Sequence, residues 1–513
     1  LWLCLAGGAA LAAADPLLDL LHDKKILTDQ ELKRVEGAPL SAAQRAALVE
    51  VLTAKGPLSA DEAARVQSGV QSAPGSAAAT RMTVTAGAAT ARAAAEQQPP
   101  PPLQTSVAAA SATKTAAPTQ AGYDEGFFVR SADGNFALRL NGRAVTNFVA
   151  DEPDTAVRDS FTIDRARLGA EATFYKYFRA RVEGDFASSS ILRDASLSLQ
   201  RWPGFNLRIG QFPVPFSYEL GITKLRTDFV ERAAFVTQTV NPRRDIGVMV
   251  YGGLMDQTFQ YQLAVMNGAG QNRADNNSAK DVIGRLVVSP FVTSNHSHLK
   301  GFNFGGALAY GKQPAEFTKD AAGNLKPVGN SIFGASETGF TFYPAIARRG
   351  DRLRADAHVA WVDGPLSLSS EYIHTNEQRN GLAADGGDLS DLETDGAYVG
   401  GTWLMTGEAK PYTGRLRPLR PLWTGATPGW GAWELALRYE FFELRHHADS
   451  AAPALNRNRY DAGLAGINWH PNEFLRLSLN YVYSVYDHNG TNASPDADEH
   501  SSNAVLGRAQ VDF

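Results

Sequence analysis

Arginine is the residue whose placement here suggests chemistry. It recurs two residues apart as Arg165 with Arg167, Arg179 with Arg181 and Arg352 with Arg354, and singly at Arg139, Arg143, Arg208, Arg285, Arg438, Arg476 and Arg508. A spacing of two puts side chains on one face of an extended chain. The guanidinium is a planar, permanently charged fork suited to bidentate contact with phosphate or carboxylate. Rows of such forks would form a ladder of weak anion sites, each able to take an ion and to release it. The competing arrangement is a lattice of salt bridges with Glu171, Glu183, Asp185, Asp194, Asp356, Glu371, Glu434 and Glu440, which would leave no strong charge preference. The sequence leaves both open. From residue 121 onward there are 31 Arg and 8 Lys against 44 acids, so a positive face requires the acids to concentrate elsewhere, as around Asp385–Asp395 and Asp496–Glu499.

Other chemistry is thinly represented. No HExxH, nucleophile elbow, P-loop or dinucleotide fingerprint occurs, and Gly334 to Gly339 has the wrong spacing for an elbow. The pairs His296/His298 and His446/His447 read as loop histidines, and the acids from Asp385 to Asp395 do not fit the calcium-loop template. The single cysteine, Cys4, excludes a disulfide framework and thiolate metal sites. No catalytic residue, metal site or cofactor is assigned, and a formal net charge of -5 gives no bulk attraction to nucleic acid.

The arginines sit in segments that alternate. Trp433, Leu435, Leu437, Tyr439 and Phe441 interleave with Glu434, Ala436, Arg438 and Glu440; Leu475, Leu477, Leu479 and Tyr481 interleave with Arg476, Ser478 and Asn480. Each such segment is a strand with one apolar and one polar face. About sixteen can be marked, beginning near Asn135, Phe161, Arg179, Leu192, Asn206, Asp245, Thr258, Asp281, Asn303, Arg352, Leu366, Asp395, Trp430, Arg459, Leu475 and Asn503. That number, with two-faced strands throughout, predicts a closed transmembrane barrel with lipid outside and water inside. Aromatics at strand ends or on the apolar face, such as Phe174 to Phe178, Trp430, Trp433, Tyr439, Phe441, Phe442, Trp469, Tyr481 and Tyr483, are placed as interfacial girdles, and the sequence closes on an alternating stretch ending in Phe513. The stretch from Phe212 to Arg243 is too long for a plain turn and carries Lys224, Arg226, Arg232 and Arg243. It is expected to be functional, folding inward as a constriction or serving as an external contact loop.

Ahead of the alternating region the texture differs. Residues 1–14 are apolar and end in Ala12-Ala13-Ala14, which reads as a signal-peptide remnant. Residues 15–67 read as a helical segment with capping boxes at Thr28–Glu31 and Ser59–Glu62, and residues 68–121 as a low-complexity linker rich in Ala, Ser, Thr, Gln and Pro. The barrel is assigned to 122–513.

Several stretches resemble the phosphate- and polyphosphate-selective porins O and P of the outer membrane. They include Gly126-Phe127-Phe128-Val129-Arg130, Phe136 to Arg143, Arg165-Ala166-Arg167-Leu168-Gly169, Leu207 to Phe216, Arg244 to Val248, Trp433 to Tyr439 and Arg508 to Phe513. The resemblance implies an all-β, 16-stranded antiparallel barrel in bacterial outer-membrane lipid, assembled as a homotrimer. It does not extend to the helical segment or the linker; the helical segment is expected in the periplasm. It further implies passive passage of small anions such as phosphate or polyphosphate, guided by arginines. The pathway residues are expected to be Arg139, Arg143, Arg165, Arg167, Arg179, Arg181, Arg208, Lys224, Arg226 and Arg243. The alternatives are a general diffusion or carbohydrate-type porin and an outer-membrane barrel hydrolase.

Overall fold

Alternating segments have one way to satisfy every backbone amide in a membrane, which is to pair side by side until the last meets the first. A computed structural model of the chain describes residues 119–151, 159–223, 225–275, 277–314, 317–319, 325–327, 331–336, 338, 341–383, 386–411, 414–423, 429–446, 457–488 and 501–513. The signal-peptide remnant, the helical segment, nearly all of the linker and Lys224 lie outside the described residues.

The strands are β1 (Gln120–Tyr123), β2 (Phe127–Arg130), β3 (Phe136–Asp151), β4 (Ser160–Phe174), β5 (Phe178–Asp185), β6 (Leu192–Trp202) and β7 (Phe205–Pro213). Two short helices follow, α1 (Tyr218–Gly221) and α2 (Ala234–Thr239). Then come β8 (Arg244–Leu254), β9 (Phe259–Met266), β10 (Asp281–Val288) and β11 (Asn303–Gln313). The short β12 (Phe317–Lys319), β13 (Leu325–Pro327), β14 (Ser331–Ala335) and β15 (Thr341–Ala347) form two separate hairpins. The rest are β16 (Gly350–Asp363), β17 (Leu366–Arg379), β18 (Leu389–Leu404), β19 (Ala432–His446), β20 (Arg457–His470), β21 (Leu475–His488) and β22 (Ser501–Asp512).

Among the described residues, β3 to β11 and β16 to β22 make a closed antiparallel barrel of 16 strands. Closure is between β22 and β3, in a register that sets Asp512 opposite Arg143 and Arg508 opposite Asn147. Phe513 extends the seam, exchanging two 2.9 Å backbone hydrogen bonds with Gly142. The β1–β2 hairpin pairs onto the start of β3, so strand pairing begins at Gln120, two residues before the barrel start read from the sequence.

The two faces separate as the alternation requires. Leu138, Leu140, Leu308, Leu437 and Leu479 are exposed on the outer face, while Arg438, Glu440, Arg476 and Asn480 are buried on the inner one. On β4 the parity changes at Asp164: Val145 pairs with Arg165 and Thr146 with Ile163, leaving Asp164 as an extra residue. This bulge lets Phe161 and Ile163 face outward while Arg165 and Arg167 face inward. Trp433 stacks on Trp469 at 5.5 Å within the outer aromatic band. Phe442 is a correction to the girdle expectation. It lies on the inner parity, fully buried, edge-on to Phe342 of β15, which also stacks on Tyr460.

Residues 214–223 and 225–243 fold into the lumen. Phe216, Phe229, Val230, Phe235 and Val236 are buried in a cluster with inner-face residues Ile373, Tyr398 and Phe442. At Gly396 of β18 a Cβ would lie 2.3 Å from the Phe235 Cβ, so glycine is what allows α2 to seat against the wall.

Candidate functional site

The inserted loop reaches the far side of the barrel and is tied there. The Tyr218 and Glu219 amides donate to the Glu371 carboxylate at 2.8 and 3.0 Å, the Ala234 amide donates to Glu440 at 2.9 Å, and the Val230 amide donates to Asn480 at 2.7 Å. Arg476 donates to the carbonyls of Leu225, Thr227 and Asp228 at 3.3, 2.7 and 3.1 Å, and to Asn468 at 2.7 Å. Gln510 donates to Leu225 at 3.0 Å, and Arg508 reaches Glu231 at 3.3 Å. Each contact satisfies a loop group that has left water, so the loop is fastened to β17 and β19 to β22.

On the opposite side the loop leaves a chamber of about 620 Å³ against β3 to β8. Among the described residues thirteen arginines and five carboxylates line it. The arrangement is layered. Glu183 is fully buried and receives three arginines: Arg143 at 2.9 Å, Arg167 at 3.3 Å and Arg181 at 3.0 Å. Asp185 takes Arg167 at 2.7 Å, and Asp194 takes Arg181 at 3.3 Å and Arg244 at 2.7 Å. The acids form the floor, while the Arg179 and Arg181 side chains remain 47% and 42% exposed toward the chamber. Arg208 is held by Ser198 at 3.1 Å and lies 5.1 Å from the Tyr251 ring centre.

Eight of the ten residues expected from the sequence line this chamber: Arg143, Arg165, Arg167, Arg179, Arg181, Arg208, Arg226 and Arg243. Arg139 does not. It pairs with Asp124 at 3.1 Å and lines a smaller pocket with Phe128 and Lys176, because it sits four residues nearer the start of β3 than Arg143. Lys224 lies outside the described residues.

Sequence reasoning left out Arg193, Arg244 and Arg415, which also line the chamber. Arg193 is the extra residue at the register shift opposite Glu183 and Gly184, Arg244 opens its strand, and Arg415 lies in the connection between β18 and β19. None therefore carried an alternation signal. Arg352, Arg354, Arg438, Arg476 and Arg508 face inward as their parity requires, but they are buried in pairs with Asp281, Glu440 or Glu231 or against loop carbonyls.

Within the loop, Arg232 staples α1 by donating to the Glu219 and Ile222 carbonyls at 3.1 and 2.5 Å. Glu219 accepts from the Ala233 amide at 3.0 Å and pairs with Arg438 at 3.4 Å. Burial pushes its carboxyl up to about 7, against the opposing pull of Arg438 and Arg232.

The family described as phosphate-selective porin O and P matches residues 136–513, the whole of the barrel. Porin O of Pseudomonas aeruginosa is 24% identical over 394 residues, covering 71% of this chain and 86% of that protein. An uncharacterized protein of Caulobacter vibrioides is 26% identical over 306 residues, covering 56% of this chain and 54% of that one. Among solved structures, the anion-selective porin from Comamonas acidovorans aligns with a TM-score of 0.46 at 15% identity, over 74% of this chain and 100% of that one. A barrel with a lipid-compatible outside, a polar inside and this family match leaves one assignment: the chain belongs to the phosphate-selective porin O and P family and is a transmembrane protein of the bacterial outer membrane.

Proposed function

We propose that the barrel carries out passive, anion-preferring diffusion of small solutes such as phosphate or polyphosphate, with no chemical step. The observation that carries this reading is the chamber beside the inserted loop, where, among the described residues, thirteen arginines meet five carboxylates. Cations held close in a narrow, partly dehydrated space repel one another until an anion sits among them, so such a space favours anions. The buried acids Glu183, Asp185 and Asp194 offset part of the field, which makes the outcome a preference and not an exclusion of cations. The family description supports phosphate as the solute class, and the resemblance supports a homotrimer.

The test is reversal potential in planar bilayers under a potassium chloride gradient. The intact chain should be more permeable to chloride than to potassium, and Arg165→Ala, Arg167→Ala and Lys224→Ala together should lower that ratio while the barrel stays heat-modifiable. A wild-type ratio near that of bulk electrolyte would return the reading to a general diffusion porin.

A further inference from the structure

The acids lining the chamber come from two sources. Glu171, Glu183, Asp194 and Asp512 belong to barrel strands, whereas Glu125 arrives from outside the ring, on the tip of the β1–β2 hairpin. The hairpin is fixed by its pairing, with Tyr123 opposite Phe127 and Phe127 opposite Leu140. Its turn is tight. Glu125 adopts a φ of 52° and Gly126 a φ of 138°, and a Cβ on Gly126 would lie 2.5 Å from the Leu140 carbonyl oxygen. A glutamate held in the left-handed region needs surroundings that keep it there.

Those surroundings are two arginines. The Glu125 carboxylate lies 2.9 Å from the Arg226 guanidinium of the inserted loop and 3.8 Å from Arg415. Arg415 has other holds: Asp512 at 2.9 Å, the Tyr123 hydroxyl, and the rings of Tyr123 and Phe474 at 5.6 and 5.5 Å. Glu125 is therefore chiefly the partner of Arg226. That pair is reached by water, with side chains 34% and 37% exposed, so it is weak and exchangeable.

We infer that Glu125 is a tethered competitor for anions at the end of the chamber that carries the short interstrand turns, and that it sets how easily they leave. This rests on the anion-preferring reading above. A carboxylate and a permeant oxyanion present the same acceptors to one guanidinium fork. An anion reaching Arg226 exchanges with Glu125, and the carboxylate returns as the anion departs. Conduction needs sites strong enough to fill and weak enough to empty, and an internal competitor supplies the second condition without removing the arginine.

The test uses the full chain in planar bilayers, in potassium chloride and in potassium phosphate. Removing one negative charge several ångströms from the path, in a solvent-accessible setting, should shift anion occupancy by about two- to threefold. Glu125→Gln should raise the anion-to-cation permeability ratio by that factor and lower the salt concentration at which conductance half-saturates. Asp133→Asn, which neutralises an exposed turn acid held by Ser131, should change neither. In an Arg226→Met background the Glu125→Gln effect should largely vanish. An anion-preferring wild type with an unchanged Glu125→Gln, or an effect that persists undiminished in Arg226→Met, would overturn the competitor role alone. A wild type without anion preference would overturn the reading beneath it. Should Glu125→Gln fail to give the heat-modifiable form, Glu125→Ser carries the same readout.

Discussion

Arginines face the lumen from both sides of this barrel, yet they are held differently. On β5, Arg179 and Arg181 lie over acidic residues and keep nearly half of their side-chain surface open to the chamber. On β19, β21 and β22, Arg438, Arg476 and Arg508 are only a few per cent exposed, under the inserted loop. Residue type and strand parity are the same on both walls. What differs is the partner opposite: water on one side, a folded peptide with carbonyls to satisfy on the other. A charge left facing water can act on a solute, whereas a charge covered by backbone acts as a fastener.

The largest effect that would break this contrast is on the fastening wall. Arg476→Ala leaves the Thr227 carbonyl and the Asn468 side-chain oxygen without their donor in a buried setting and takes one of two donors from the Leu225 and Asp228 carbonyls, so the barrel should lose about 3–5 kcal/mol of unfolding free energy. The check is urea unfolding of the folded band in lipid, and a loss under about 1 kcal/mol would mean that the loop is held elsewhere. Next in size is a pH effect through Glu219. Its carboxyl keeps a proton to about pH 7 in the folded loop and loses it near 4.5 in the unfolded chain, so the native state binds more protons across that window. Through this group stability should therefore fall as pH rises from about 4.5 to about 7, by ~3 kcal/mol at most. Glu219→Gln should reduce the slope. The smallest stability change belongs to the open wall. Arg179→Gln with Arg181→Gln should cost within about 1 kcal/mol, since Glu183 and Asp194 retain other arginines, while the anion-to-cation permeability ratio falls about twofold. A large stability loss there would make the two walls alike.

Much of the ring was legible because lipid and water impose opposite demands on successive residues. Segment starts such as Leu192, Asp281, Asn303, Leu366 and Leu475 coincide with the observed strands. β18 is the instructive failure. Clear alternation begins only at Asp395, whereas the strand begins at Leu389. There Leu392 points inward and is fully buried while Glu393 is on the other face, reversing the usual order next to the packed loop. The arginine clusters on β4 and β5 were readable from spacing. Which arginines would be covered was not, because that depends on a loop whose anchors, Glu371, Glu440 and Asn480, lie more than a hundred residues away in the chain. Arg415 could not be found at all, having no strand to give it a parity.

The seam between β3 and β22 has a consequence for assembly. These neighbours in space stand at opposite ends of the barrel sequence, and their pairing requires every intervening hairpin to be in place. Long-range pairing of this kind is slow, because the entropy of gathering the chain is lost before the contacts that reward it form. Until then the sheet has two free edges, each a row of unpaired amides and carbonyls able to recruit another chain. The nascent barrel is thus most prone to aggregate just before it closes, and whatever shields those two edges during insertion governs its yield.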